Sequence, residues 1–283
     1  IARANSICDD LGINTMSAGN VIAFAMECYE KGIITKEDTE GLELRFGDEE
    51  ALLRIIGMMA KREGIGDILA EGVRKAAEKF SKGSEKIAMQ VKGLEWPAYE
   101  CRGAPGAVLA FATSDKGADH QRAWSEDYFV VPTRFSIEGK PESVIKLQHY
   151  RPSFDLLGVC RFYLYLFDNL EYHARMLSEA TGWRFTEKDL IKAAERVYNL
   201  TRCFNVREGF TRKDDQVPAR CFEEQNTGPA KGGLIRQEDF DKMLDRYYEL
   251  RRWDKKTGVP TREKLEELGL KAVANELERL GKL

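Results

Sequence analysis

Apolar residues recur at helical spacing along most of the chain, and only one stretch alternates. From Asp48 to Lys61, Leu52, Leu53, Ile55, Ile56 and Met59 share one face of a helix. Leu190, Ile191, Ala194, Val197, Tyr198 and Cys203 do the same in a helix running to about Val206, opened by the capping sequence Thr186-Glu187-Lys188-Asp189. Further helices are predicted over residues 1–11, 18–31, 106–113 and 141–182, the last interrupted near Gly158, and then over 237–252, 261–267 and 270–281. Ser17 or Asn20 caps the second of these and Gly32 stops it. Thr35-Lys36-Glu37-Asp38 reads as the start of a short helix, and Asp67 as the cap of one continuing to about Phe80. The alternation in Ile87-Ala88-Met89-Gln90-Val91-Lys92 marks the one candidate strand.

Glycine and proline punctuate this pattern. The run from Lys92 to Gly106 is a loop and a candidate domain boundary, and residues 209–235 form a second long loop of the kind that carries function. The fold expected is therefore all-α, in two helical lobes over residues 1–92 and 93–283.

Composition narrows the class. With 283 residues, 43% of them hydrophobic, the chain can bury a sizeable core. Nothing in a net charge of −3 suggests a nucleic-acid surface, and apolar runs such as 162–167 are too short to span a membrane. The six cysteines are scattered without a C-x-x-C, which fits a reducing cytoplasm better than a disulfide framework. Ile1 to Cys8 already reads as mid-helix, without an initiating Met, so a piece of a longer protein is expected.

The chemistry gathers in Asp155-Leu156-Leu157-Gly158-Val159-Cys160. Asp155 can accept two parallel N–H donors from one planar ligand edge. Gly158 permits positive φ and close approach of a ligand, and Cys160 offers a sulfur suited to iron. The same layout recurs in Asp9-Asp10-Leu11-Gly12-Ile13-Asn14, as two half-sites for a ligand with two like halves would require. The competing reading is a pair of helix C-caps, in which each glycine takes the left-handed position and an apolar residue packs back. His149 and His173 read as surface or core histidines, and Gly66 to Gly72 as a capped helix more than a phosphate loop.

Together with Val91-Lys92-Gly93-Leu94-Glu95, Pro97-Ala98-Tyr99 and Thr113-Ser114-Asp115 leading to His120-Gln121-Arg122, the D-x-x-G pair resembles the aldehyde:ferredoxin oxidoreductase family. The likeness extends from Cys8 to Thr261 and corresponds to the family's second and third domains. It implies a tungsten or molybdenum bis-pterin held by Asp9, Gly12, Ile13 and Asn14 in one half and by Asp155, Gly158, Val159 and Cys160 in the other. It implies Cys160 as one of four ligands of a [4Fe–4S] cluster, His120 as a proton donor, Arg122 as a cation near the pterin and Tyr99 as a wall of the substrate pocket. Asn14 departs from the family pattern, which has Asp there. The remaining cluster cysteines, an active-site Glu and a β-rich domain would precede Ile1, so both cofactors are expected to be absent from this fragment, which would be inactive alone. The resemblance further implies oxidation of a small aldehyde to an acid, with ferredoxin as electron acceptor, and allows a homodimer. Two alternatives stand beside it: a relative reducing another substrate, such as an aromatic thioester, and a non-catalytic all-helical interaction protein.

Overall fold

The computed structural model describes residues 1–125, 134–162, 169–228 and 230–283. The chain divides into two units, each with its own core. One comprises Ile1–Arg102, Lys116–Asp119 and Gln216–Leu234, and the other Gly103–Asp115, His120–Asp215 and Ile235–Leu283. A cut after residue 92 would instead split a hairpin, because Val91 pairs with Leu94 and Gln90 with Glu95. The two short later segments return to the first unit through contacts that no linear boundary anticipates.

In the first unit, α1 (Ala2–Leu11), α2 (Thr15–Glu30), α3 (Glu49–Lys61), α4 (Ile65–Leu69) and α5 (Val73–Phe80) enclose a core that includes Val21, Ile22, Ile55, Ile56, Leu69 and Val73. The alternating stretch becomes β1 (Gln90–Val91), paired antiparallel with β2 (Leu94–Glu95). Lys92 and Gly93, at φ 53° and 89°, make the tight turn between them. Gln216–Leu234 is fastened to the unit by Arg220 on Glu27 at 2.6 Å and by Arg102 on the Glu224 carbonyl at 3.5 Å.

Three local expectations change. Asn14, not Ser17 or Asn20, caps α2, accepting the Ser17 N–H at 2.9 Å, while Asn20 donates to the Trp96 carbonyl at 2.6 Å. The side chain of Asp38 accepts the Thr35 N–H at 2.8 Å, but no helix follows, since Glu40 and Gly41 turn to positive φ. The helix expected from Asp67 breaks into α4 and α5 at Gly72, φ 88°, and Asp67 pairs with Arg62 at 2.9 Å rather than capping. The break is stabilised from outside: Glu95 of β2 accepts the N–H of Val73, the first residue of α5, at 2.9 Å.

The second unit is built on α6 (Pro105–Thr113), every residue of which is buried. A helix apolar on all sides belongs at the centre of a core. Around it pack α7 (Lys140–Leu157) and α10 (Gln237–Arg251), with α9 (Glu187–Arg207) against α7. α8 (Leu170–Thr181) and α12 (Lys271–Arg279) flank α9, and α11 (Arg262–Glu267) packs on α12. Thr186 and Asp189 form the reciprocal capping box at the start of α9. The all-α architecture expected from periodicity is the one found, with a single two-residue hairpin among the described residues. No described helix is long and apolar enough to cross a membrane.

Candidate functional site

Both D-x-x-G turns are left-handed C-caps of the same construction. Gly12 ends α1 at φ 68°, ψ 29°, and Gly158 ends α7 at φ 69°, ψ 24°. In the first, Gly12 N–H donates to the Asp9 carbonyl at 3.2 Å and Ile13 N–H to that of Cys8 at 2.8 Å. In the second, Gly158 N–H donates to Asp155 at 3.2 Å and Val159 N–H to Phe154 at 3.1 Å. Ile13 packs on the core containing Cys8, and Val159 on the cluster containing Phe154. The cap uses the carbonyls of Asp9 and Asp155 and leaves both carboxylates over. At neither glycine would an added Cβ meet another atom within 4 Å, so backbone conformation demands glycine and the space beside each turn is open. The helix-cap and ligand-turn readings are thus compatible.

In the second unit a cavity of about 260 Å3 is lined by His120, Gln121, Trp124, Arg151, Asp155, Val159, Cys160, Arg161 and Phe162. His120 is half-buried, its ring edge-on to Trp124 at 5.3 Å. Cys160 is the exposed member of the six cysteines, all of which are free thiols. The Asp155 carboxylate is 42% exposed and is met by two arginines. Arg161 Nη2 donates to both of its oxygens, at 2.8 and 2.6 Å, and Arg122 Nη1 to Oδ2 at 2.7 Å. Arg122 also grips Asp115 through Nε at 2.7 Å and Nη2 at 3.3 Å. A carboxylate has about four acceptor directions, so these three hydrogen bonds from two guanidinium nitrogens leave room for about one further donor, not for the two parallel donors its sequence suggested.

The first unit holds a cavity of about 390 Å3 whose lining includes Ile13, Asn14, Ser17, Gly72, Gly93 and Glu95. Asp9 is exposed, and its carboxylate accepts from Asn5 Nδ2 at 3.0 Å. Asn14 is occupied in capping α2, a task that explains its identity without a ligand. Tyr99, also in this unit, is half-buried, and its carbonyl accepts from Trp96 Nε1 at 3.1 Å. Asp155, Val159, Cys160 and His120 therefore share one cavity, and Ile13 and Asn14 another. Arg161, Asp115 and Glu95 were missed as site residues. Arg161 directly follows Cys160, but nothing local in the sequence marks which carboxylate a guanidinium will reach. His149 and His173 sit in structural contacts, with Arg251 and with the Asn169 carbonyl.

The model of the family described as aldehyde ferredoxin oxidoreductase, domains 2 and 3, matches residues 1–270. Over 279 residues the chain is 39% identical to the tungsten-containing aldehyde ferredoxin oxidoreductase of Pyrococcus furiosus, covering 95% of this chain and 45% of that protein. It is 32% identical over 295 residues to an aliphatic sulfonate oxidoreductase, WOR-like subunit, of the same organism, covering 100% of this chain and 44% of that one. Among solved structures, the active site complex BamBC of benzoyl coenzyme A reductase with 1,5 dienoyl-CoA superposes with a TM-score of 0.77 at 26% identity, covering 96% of this chain and 46% of that one. The chain spans under half the length of the curated relatives it matches.

Proposed function

The chain belongs to the aldehyde ferredoxin oxidoreductase family, matching its domains 2 and 3, and we propose that it forms the cofactor-clamping part of a tungsten bis-pterin enzyme that oxidises an aldehyde to a carboxylic acid. The observation that carries this reading is the pair of matched caps, each with an aspartate carboxylate its helix does not need. A ligand with two like halves needs two like half-sites, whereas unrelated helix ends have no reason to share the acid.

The residues present fit such a group. Both glycines leave open space beside the turn, and the buried Arg161 Nε–H, in the wall of the second cavity, has no acceptor among the described residues. No group of three or more His, Cys, Asp or Glu among them is placed to hold a metal ion, so Cys160 would contribute one cluster thiolate and the rest would come from elsewhere in the whole protein. When bound, the tungsten-pterin and the [4Fe–4S] cluster supply a two-electron redox centre and a one-electron path to ferredoxin. The chain's own residues do the rest. Asp9 and Asp155 would each accept an N–H donor of a pterin edge, Gly12 and Gly158 would leave room for its approach, and Ile13 and Val159 lock their turns by packing. His120, in the same cavity lining as Trp124, would hold a proton at a ring nitrogen for transfer to the substrate. By the family resemblance, Tyr99 would line the substrate pocket. The net reaction takes aldehyde and water to acid, two protons and two electrons, and the electrons pass to ferredoxin.

Likeness to a benzoyl coenzyme A reductase favours a second reading, reduction of an aromatic thioester, but identity to the aldehyde enzymes is higher. The test is the natural full-length protein, purified anaerobically, analysed for tungsten and iron, and assayed with ferredoxin against aldehydes and against an aromatic thioester. Ferredoxin reduction by aldehydes supports the first reading. Thioester turnover without aldehyde turnover replaces it with the second, and the absence of tungsten or molybdenum removes both.

A further inference from the structure

We propose that Arg161 is a positioning residue that couples the second turn to the segment carrying His120. This deepens the clamp reading above and rests on it. One guanidinium reaches both places: Nη2 donates to the two oxygens of Asp155 at 2.8 and 2.6 Å, and Nη1 to the Gln121 carbonyl at 2.5 Å. The Arg161 side chain is 14% exposed, while its Asp155 partner is 42% exposed and open to solvent. Asp155 sits in the last turn of α7, whereas residues 120–122 lie in no helix or strand. Arginine side chains hold carbonyls of that segment. Arg151 of α7 donates to the His120 carbonyl at 3.4 Å, so the carbonyls of two consecutive residues are both held by arginines.

Arg122 closes the arrangement from the other side. It is 13% exposed and bridges Asp155 to Asp115, just beyond α6, and the Asp115 carbonyl in turn accepts from Asn205 of α9 at 2.8 Å. Asp155 in α7 is thereby tied, through Arg122 and Asp115, to the end of α6 and to α9, while the Asp9 carboxylate accepts from Asn5 of its own helix. An arginine suits the task because its rigid, permanently charged fork holds two acceptors in fixed directions, whereas the flexible ammonium of lysine fixes neither direction. The consequence is that the orientation of Asp155 and the placement of His120 are not independent.

The test uses the natural full-length protein grown with tungstate, as wild type, Arg161→Met, Arg161→Lys, Asp155→Asn and the Arg161→Met/Asp155→Asn double variant. Tungsten and pterin per chain are measured after gel filtration, together with the thermal midpoint and with KM and kcat per bound tungsten. We expect Arg161→Met to retain roughly tenfold less cofactor, the lower end of what losing a supporting partner costs, with an unchanged thermal midpoint. Arg161→Lys should recover part of the loss, and Arg161→Met should add nothing to Asp155→Asn. In the loaded fraction kcat should fall with KM unchanged, which a merely structural role would not produce. Full retention in Arg161→Met beside a loaded wild type overturns the coupling, as do additive losses in the double variant. Should Arg161→Met fail to fold, full retention and kcat in Arg161→Lys overturns it. A wild type without tungsten or pterin refutes the clamp reading itself.

Discussion

Arg251 donates Nη1–H to Nε2 of His149 across 2.6 Å. Arginine has no acceptor, so the imidazole nitrogen must accept, and the ring is neutral with its proton on Nδ1. Burial, reinforced by the charges of Arg251 and Lys264, pushes the His149 pKa down to about 2. The other donors of Arg251 go to Gln148 Oε1 at 2.8 Å and the Tyr247 hydroxyl at 3.1 Å, and its guanidinium lies 4.4 Å from the Tyr198 ring centre. Buried beside a cation, this histidine is an acceptor and not a proton shuttle.

Its titration predicts an acid limb of stability. Unfolded, His149 binds its proton near pH 6.5, and folded only near 2. The unfolded state binds more protons in that window, so the contribution is complete above about 6.5 and is lost as pH falls below it. Urea unfolding should show a loss of roughly 1 kcal/mol between about pH 7 and 5.5 from this one group. His149→Gln keeps an acceptor for Arg251 and removes the proton, so its curve should be flatter over that range. An identical slope in the variant would refute this assignment.

The two cap glycines should be costly to replace for conformational reasons alone. Nothing lies within 4 Å of a Cβ at Gly12 or Gly158, yet both have φ near +70°. Gly158→Ala and Gly12→Ala should each lose about 1–2 kcal/mol in denaturant unfolding, and asparagine at either position less. Gly19, inside α2 with equal space and ordinary helical φ, is the control: Gly19→Ala should gain about 0.5–1 kcal/mol. Equal effects at all three positions would contradict the cap geometry.

Glu95 should matter more than a half-buried loop-side acid usually does. It accepts from Val73 N–H and from Ser17 Oγ, both at 2.9 Å, so Glu95→Ala leaves the first turn of α5 uncapped. The expected loss is about 1–2 kcal/mol, with faster hydrogen exchange in residues 73–80. Unchanged exchange in α5 would show that the helix does not depend on this cap.

Cysteine chemistry should single out Cys160. It is exposed, whereas burial pushes Cys28 and Cys203 up to about 12 and raises Cys8 as well. Brief alkylation of the native chain, read by peptide mass spectrometry, should label Cys160 first. In the natural full-length protein the label should be blocked as long as iron is bound. Labelling of Cys160 in an iron-loaded sample would remove it from the ligand set.

Features that depend on neighbours in sequence were legible in advance. Most of the helices, the box of Thr186 and Asp189, the stop at Gly158 and the strand at Gln90–Val91 follow from residues a few positions apart, whereas its hairpin partner Leu94–Glu95 lay in what read as loop. Helical spacing and glycine at positive φ are local requirements, so a single sequence states them. The repeated D-x-x-G was legible for the same reason, since the glycine and the apolar residue after it are what the cap itself needs.

The partners of the polar side chains were decided by the tertiary structure. That Glu95 rather than Asp67 caps α5, that Gln216–Leu234 returns to the first unit, and that Arg122 and Arg161 both reach Asp155 depends on residues 22 to 193 positions apart or on a turn that redirects the chain. Any of the chain's 44 basic side chains could in principle have met Asp155. Charge attraction is long-ranged and indifferent to sequence order, so only packing, by fixing which helix ends lie side by side, selects the pair that forms.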